Sequence, residues 1–148
     1  MIRQINFDMD GTIANLYGVE NWLEKLVNND PSPYKEAKPM VNMAILARYL
    51  NKLIKAGYEV NIISWLAKNS NENYDELVTQ AKIDWLKTHL KSVKFTNINI
   101  VAYGTYKENL GKGILFDDEE NNRKYWKGEA YDEKNILEIL KKLTNNSH

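Results

Sequence analysis

The chain has 148 residues, of which 43% are hydrophobic, so it is long enough for one domain with a substantial buried core. The 20 basic and 20 acidic residues balance, which argues against a dedicated nucleic-acid or membrane-surface protein but leaves room for a locally basic pocket. The sequence contains no cysteine, and this excludes disulfides, thiol catalysis and cysteine–zinc sites.

The pattern at the N-terminus is not that of a secretory signal. The apolar run there is short and is interrupted by Asn6 and Asp8. Further along the chain, no run approaches the roughly 18 apolar residues of a membrane-spanning helix. We therefore predict a cytoplasmic protein that does not associate with membranes.

Patterns of strand and helix alternate along the chain. The clearest helical spacing of apolar side chains lies at 43–54, and Gly57 follows where a left-handed residue commonly ends a helix. In chain order we predict a strand at 2–7, a helix at 19–27, a loop at 28–33, a helix at 40–56, a strand at 58–64, a helix at 74–90, strands at 97–102 and 113–116, a short helix, a strand at 129–131, and a helix at 133–143 capped by Asp132.

This alternation favours an α/β fold of three layers, Rossmann-like, with a central parallel sheet covered on both faces. No repeat, low-complexity tract or linker divides the chain, so we predict a single domain over residues 1–148. In such sheets, functional residues collect at the carboxyl ends of the strands. We therefore expect one edge of the sheet to gather Asp8, Asp10, Ser64, Asp117 and Asp118.

The strongest chemical signal is the segment Asp8-Met9-Asp10-Gly11-Thr12, directly after an apolar strand. The chain must turn sharply there, and glycine permits the turn. Taken alone, the two carboxylates also fit a polar turn after an edge strand. The DxDGT pattern resembles the first motif of the haloacid-dehalogenase-like (HAD-like) phosphohydrolases.

The resemblance implies a role for each residue of this motif. Asp8 is expected to be the nucleophile, since a carboxylate nucleophile divides a slow hydrolysis into two steps through an aspartyl phosphate. Asp10 is expected to protonate the leaving group and then to activate water. Mg²⁺ is the implied cofactor, held by Asp8, the backbone carbonyl of Asp10 and an acidic residue late in the chain. We also predict that Thr12 belongs to the substrate site.

Asp117 and Asp118 are the candidates for the late acidic residue, because they end an apolar strand and resemble the family's fourth motif. Helix capping is the alternative, since Asp117 and Glu120 have the spacing of a capping box. Beside the first motif, metal binding is the favoured interpretation. We predict that Asp117 contacts the metal directly and that Asp118 lies near it.

Ser64 ends the second long strand, at the place of the family's second motif, whose hydroxyl donates a hydrogen bond to the phosphoryl group. The alternative is a serine that caps a local turn. Trp65 follows, and its position fits either a contact with the leaving group or a place in the core. Both residues are included in the predicted substrate site.

Two lysines compete for the family's third motif, which neutralises phosphate and carboxylate charge. Lys107 follows the third long strand, whereas Lys82 lies inside a predicted helix. A position just beyond a central strand favours Lys107 as the catalytic residue. We expect Lys107→Ala to lose far more activity than Lys82→Ala, because most helical lysines are solvated.

The order of helix, strand, lysine and paired aspartates from Lys82 to Asp118 resembles the 5'(3')-deoxyribonucleotidase group and its bacterial and phage relatives. Members of that group place a cap domain over the substrate at the position of residues 13–38, which here have room for about one helix. This short cap, and a tryptophan in place of proline after Ser64, are departures from the group.

The resemblance as a whole implies a Mg²⁺-dependent phosphomonoesterase with a small phosphorylated substrate, and a (deoxy)nucleoside monophosphate is the first candidate. The second candidate is a sugar phosphate or a phosphorylated polynucleotide end, because a small cap leaves an open site. A third possibility, from another class, is a member of the fold that binds phosphate or nucleotide without turnover. All the acidic residues that turnover requires are present, which disfavours this third possibility.

Overall fold

A computed structural model describes residues 3–146 of the chain. Five strands form a parallel sheet in the spatial order β5-β4-β1-β6-β7, and two more form a separate antiparallel ribbon, β2-β3. The strands are β1 (Gln4–Phe7), β2 (Ala14–Asn15), β3 (Lys38–Pro39), β4 (Glu59–Trp65), β5 (Asn97–Val101), β6 (Ile114–Phe116) and β7 (Ala130–Tyr131).

The helices connect these strands, so the predicted α/β fold with a central parallel sheet is confirmed. Within residues 3–146, none of the helices combines the length and the hydropathy of a membrane span. The helices are α1 (Trp22–Val27), α2 (Ser32–Glu36), α3 (Met43–Lys55), α4 (Glu72–His89), α5 (Glu120–Tyr125) and α6 (Ile136–Asn145), with 3-10 turns at Leu16–Gly18, Lys107–Asn109 and Glu133–Asn135.

Most predicted elements are present with ends shifted by a few residues, but three details differ. The loop predicted at 28–33 is wrong in part, because α2 begins at Ser32 and has a proline in its first turn, where the missing N–H costs no hydrogen bond. The predicted last helix opens as a 3-10 turn, and Asp132 caps that turn by accepting the N–H of Lys134. The β2-β3 ribbon was not predicted. Ile2, the predicted start of β1, lies outside the described residues.

The main core lies on one face of the sheet. Side chains alternate along β1, so Ile5 and Phe7 point into this core and Asn6 points to the other face. The core is completed by buried side chains from three helices, which are Leu46, Leu50 and Leu53 of α3, Trp85 and Leu86 of α4, and Ile136 and Leu140 of α6.

The opposite face is partly polar. Asn6 is fully buried there and donates to the backbone carbonyls of Lys112 and Ile114, while Asn61 donates to Asn6. These bonds satisfy backbone groups of the crossover between β5 and β6, and the same crossover contains the 3-10 turn that begins at Lys107. The buried asparagines therefore help to hold the segment that carries Lys107.

Residues 16–37, which we call the covering segment, lie between the two strands of the β2-β3 ribbon. Leu16 and Tyr34 of this segment pack against Tyr74, Val78 and Ala81 of α4 in a small apolar cluster. The ribbon closes the base of the segment, and the cluster attaches it to α4. The covering segment lies within residues 13–38, and their role as a cap stays a prediction.

Candidate active site

The carboxyl ends of β1 and β6 bring two acidic pairs to the same edge of the sheet. Asp8 continues β1, and its backbone N–H bonds to the carbonyl of Phe116 at 2.9 Å, next to the Asp117–Asp118 pair. The turn that follows requires glycine at position 11, where φ is +80° and an added Cβ would collide with the carboxylate of Asp118. The DxDGT turn therefore packs directly against the second acidic pair.

Lys107 links the two acidic pairs. Its Nζ lies 2.9 Å from Asp8 Oδ1 and 2.8 Å from Asp117 Oδ2, and its side chain is buried. Burial alone would lower the pKa of Lys107, but the two carboxylates outweigh that effect and raise it, so the ammonium stays charged. The two bonds use two of the three N–H protons, and Lys107 also lines the cavity in front of Asp8. One N–H therefore remains to face a ligand.

Asp117 is fully buried and is surrounded by donors from the protein itself. Its Oδ2 accepts from Lys107 and from Asn122 at 3.1 Å, and its Oδ1 accepts the backbone N–H of Glu119 at 2.9 Å. Burial is the main cause that raises the pKa of Asp117, with Asp8 adding to it and Lys107 opposing it. Both oxygens of Asp117 are thus engaged in holding Lys107 and the start of α5.

Asp118 faces Asp8, and Thr12 is buried between them. The hydroxyl oxygen of Thr12 lies 3.1 Å from Asp8 Oδ2 and 3.1 Å from Asp118 Oδ1, and it accepts the backbone N–H of Asp118 at 3.0 Å. A hydroxyl has one proton, so it donates to one of the two carboxylates at a time. This position does not favour the predicted contact of Thr12 with substrate; its hydroxyl orients the carboxylates instead.

Oxygen atoms of Asp8, Asp117 and Asp118 lie within 4.8 Å of one another, close enough to share one metal ion. Burial, a hydrogen bond with Asp8 and the charges of Asp8 and Asp117 together raise the pKa of Asp118 to about 8. Burial is the largest of these causes, and the neighbouring carboxylates add to it. Oxygen ligands with excess negative charge are the donor set that Mg²⁺ prefers, so these residues fit the predicted cofactor.

Lys82 contacts the other carboxylate of the DxDGT motif. Its Nζ lies 2.9 Å from Asp10 Oδ2, 2.6 Å from Ser64 Oγ and 2.7 Å from the backbone oxygen of Trp65. The side chain is only 1% exposed. The prediction of a solvated Lys82 is therefore wrong, because α4 turns this position inward against the edge of the sheet.

The sequence does contain a signal for the burial of Lys82. Val78, Ala81 and Trp85 are buried on α4, and position 82 lies on the same helical face. A lysine inside an apolar face needs buried acceptors, because an unpaired buried charge is very costly. That reasoning predicts a partner for Lys82, but the sequence does not show that the partner is Asp10.

Asp10 experiences opposing influences. Burial raises the pKa of its carboxyl group, the charge of Lys82 lowers it, and the charge of Asp8 raises it again, with a net upward shift. Asp10 and Asp8 both line the same cavity. A carboxyl group whose pKa is raised retains its proton more readily than an ordinary carboxyl group, which suits it to act as an acid.

Ser64 and Trp65 end β4 in different environments. Ser64 is fully buried, and its Oγ accepts from Lys82. Trp65 lines the cavity, its Nε1 donates to the backbone oxygen of Thr105 at 2.9 Å, and its ring packs against Tyr103 with centroids 5.0 Å apart. Of the two places that the sequence allowed for Trp65, the structure selects the cavity wall over the core. A contact of Ser64 with the phosphoryl group remains a prediction.

A cavity of about 540 Å³ opens in front of Asp8 and Asp10. Trp65, Tyr103 and Lys107 line it, and so do polar residues such as Lys68, Asn69 and Ser70. The covering segment supplies a wall that is mostly apolar, and Tyr17 packs there edge to face against Trp22 at 4.9 Å. The residues of this wall include Leu16, Tyr17, Trp22, Leu23, Leu26 and Val27.

Comparisons with known proteins add a fold likeness. No protein-family model matches the sequence, and no curated protein matches it either. The structure is similar to that of the HAD domain of the effector protein Lem4 from Legionella pneumophila, with a TM-score of 0.47 and 16% identity, over 99% of this chain and 95% of that chain. A likeness this weak carries no functional information, so the site has to be interpreted from its own chemistry.

Proposed function

We propose that this protein is a cation-dependent phosphomonoesterase of the HAD-like type, with Asp8 as nucleophile and Asp10 as general acid and base. One observation carries the proposal: Asp8 and Asp10 line the same cavity, and each is bound by its own buried lysine. The resemblance of the DxDGT motif supports the same assignment. Because the two carboxylates have different surroundings, one can act as the nucleophile and the other as the general acid and base that phosphate-ester hydrolysis needs.

The chemistry follows from this arrangement. An oxygen of Asp8 attacks phosphorus while the bond to the leaving oxygen breaks, and Asp10 gives that oxygen a proton. Lys107 binds Asp8 and has one N–H left, which is suited to a phosphoryl oxygen. Asp10 then takes a proton from the water that cleaves the aspartyl phosphate and returns Asp8 to its starting state.

A bound Mg²⁺ would offset the negative charge of the phosphoryl oxygens beside these carboxylates. Asp8, Asp117 and Asp118 are the residues that would hold it, and Asp118 is the most available of the three, because Asp8 and Asp117 accept hydrogen bonds at both of their oxygens. Direct contact of Asp117 with the metal, the choice made from the sequence, stays a prediction. In this proposal Asp117 acts on the site by holding Lys107.

We expect phosphate release from p-nitrophenyl phosphate to require Mg²⁺ and to stop in excess chelator. Asp118→Asn is expected to weaken Mg²⁺ binding at least about tenfold, because it removes the charge of a ligand. Isothermal titration calorimetry measures that binding without relying on turnover. Glu120→Gln, an exposed acidic residue nearby, is the matched control. Full activity in chelator contradicts the metal requirement, and tight nucleotide binding without any turnover favours the non-catalytic alternative.

The cavity supports a nucleoside monophosphate as substrate. Its lining combines Asp8, Asp10 and Lys107 with aromatic and aliphatic side chains of Trp65, Tyr103 and the covering segment, and it also includes polar residues, among them Lys68, Asn69 and Ser70. A base or another flat ring gains from stacking on such walls, whereas a sugar offers mostly hydroxyl groups that need polar partners. The aromatic side chains therefore favour the nucleotide, while the polar ones keep the sugar phosphate as the second candidate.

Tyr103→Ala tests this preference. Tyr103 is 54% exposed, and it packs on Trp65 at the cavity wall. Loss of one stacking surface is expected to lower kcat/KM for a nucleoside monophosphate by about tenfold or more. The value of kcat/KM for ribose 5-phosphate should change by less than about twofold. Tyr125→Ala, at an exposed position outside the cavity lining, is the control. A wild-type preference for ribose 5-phosphate would instead favour the sugar-phosphate alternative.

A further inference from the structure

The ammonium group of Lys82 has no proton left for a substrate. It has three N–H protons, and Asp10, Ser64 and the backbone oxygen of Trp65 provide three acceptors within 2.9 Å. Lys107 differs, because it has two such acceptors and lines the cavity. The two buried lysines of this site therefore have different tasks.

We propose that Lys82 is a positioning residue that fixes the orientation of Asp10, binding Oδ2 so that Oδ1 carries the proton to the leaving group. The inference rests on the proposed function and extends it to a residue outside the DxDGT motif. Lys82 can only donate, so the oxygen that it binds is a poor place for the acidic proton. The other oxygen of the same carboxyl group is the one available to the substrate.

The surroundings of Lys82 make it a rigid support. Asp10 lies in the turn after β1, where its backbone forms only an isolated bridge to Ala14. Lys82 connects this turn to the end of β4 through Ser64 and Trp65 and belongs to the long helix α4. On its remaining side, the ring of Tyr34 from the covering segment lies 5.2 Å from Nζ. Asp10, which lines the cavity, is thus held by Lys82, which is not part of the cavity lining.

The oriented proton of Asp10 is used in the first chemical step. A bond forms between Asp8 and phosphorus, the bond from phosphorus to the leaving oxygen breaks, and the Asp10 proton passes from Oδ1 to that oxygen. A p-nitrophenolate is stable as an anion and gains little from this proton. An alkoxide is strongly basic, so its departure depends on the proton. A misoriented Asp10 should therefore affect alkyl phosphates more than p-nitrophenyl phosphate.

The test compares Lys82→Met with the wild type on p-nitrophenyl phosphate and benzyl phosphate, which differ in leaving group but both contain a ring. The quantity measured is kcat/KM, because it includes all steps up to departure of the leaving group and excludes hydrolysis of the intermediate. We expect a loss of about 100-fold on benzyl phosphate and of less than about tenfold on p-nitrophenyl phosphate. Equal losses on both substrates overturn the proposal, since general damage to the site lowers both alike.

Three further variants complete the experiment. Lys87→Met replaces an exposed lysine of the same helix and should change neither value. In an Asp10→Asn background, Lys82→Met should cause no further selective loss, because the two residues act as one unit. If Lys82→Met fails to fold, Lys82→Arg retains the charge, moves the nitrogen and is expected to show the same selectivity. A wild type that hydrolyses neither substrate would refute the proposed function itself, whereas an active wild type with unselective variants refutes only the role of Lys82.

Discussion

Asp8→Asn is expected to abolish turnover and to leave the fold intact. Asparagine has nearly the same shape, and its amide oxygen can still accept from Lys107, which lies 2.9 Å from Asp8 Oδ1. What it lacks is the charged oxygen that attacks phosphorus. Removal of a nucleophile that works together with an acid commonly lowers kcat by about 10⁴-fold or more, so we expect activity close to the limit of detection.

The measurement is steady-state phosphate release, together with mass spectrometry of acid-quenched enzyme. The wild type should show a phosphorylated peptide that contains Asp8, and the variant should not. Asp84→Asn, at an exposed position of α4, is the control for the loss of one carboxylate. Near-normal phosphatase activity in a homogeneous Asp8→Asn preparation would exclude the covalent mechanism.

Lys107→Met is expected to cause the second-largest loss, of about 100-fold or more in kcat/KM. Its Nζ bridges Asp8 and Asp117, so it offsets the repulsion between a carboxylate nucleophile and an anionic phosphate that have to reach bonding distance. Losing such a preorganised charge commonly costs on the order of 3 kcal/mol of transition-state stabilisation. The variant also leaves two buried carboxylates without their shared cation, so its melting temperature should fall.

Assays in saturating Mg²⁺ separate the lysine from the metal, and Lys127→Met, an exposed change nearby, is the control. Activity within a few-fold of the wild type would contradict the assignment of Lys107 to the third motif. Lys82→Ala, which the sequence predicts to be nearly silent, is now expected to be harmful, because it leaves the buried carboxyl group of Asp10 without its ion pair.

The sequence predicts much of the fold because the periodicity of its core elements is strong. Regular spacing identifies the helix around Leu46, Leu50 and Leu53, and Gly57 ends it with a φ of +104°. The β2-β3 ribbon escaped prediction, since each of its strands has two residues, too few for any alternating pattern to be visible. Such a short pairing is decided by contacts between distant segments of the chain.

For the candidate site, the sequence determined the chemistry that is available: a DxDGT turn after one strand, paired aspartates after another, and two lysines, of which Lys107 was favoured as the catalytic one. The tertiary structure decided which partner each of these side chains contacts. It pairs Lys107 with Asp8 and Asp117, and it pairs Lys82 with Asp10. The reason is physical: the order of strands in the sheet and the face that α4 turns inward set which side chains come within hydrogen-bonding distance, and neither is encoded in the spacing of a motif.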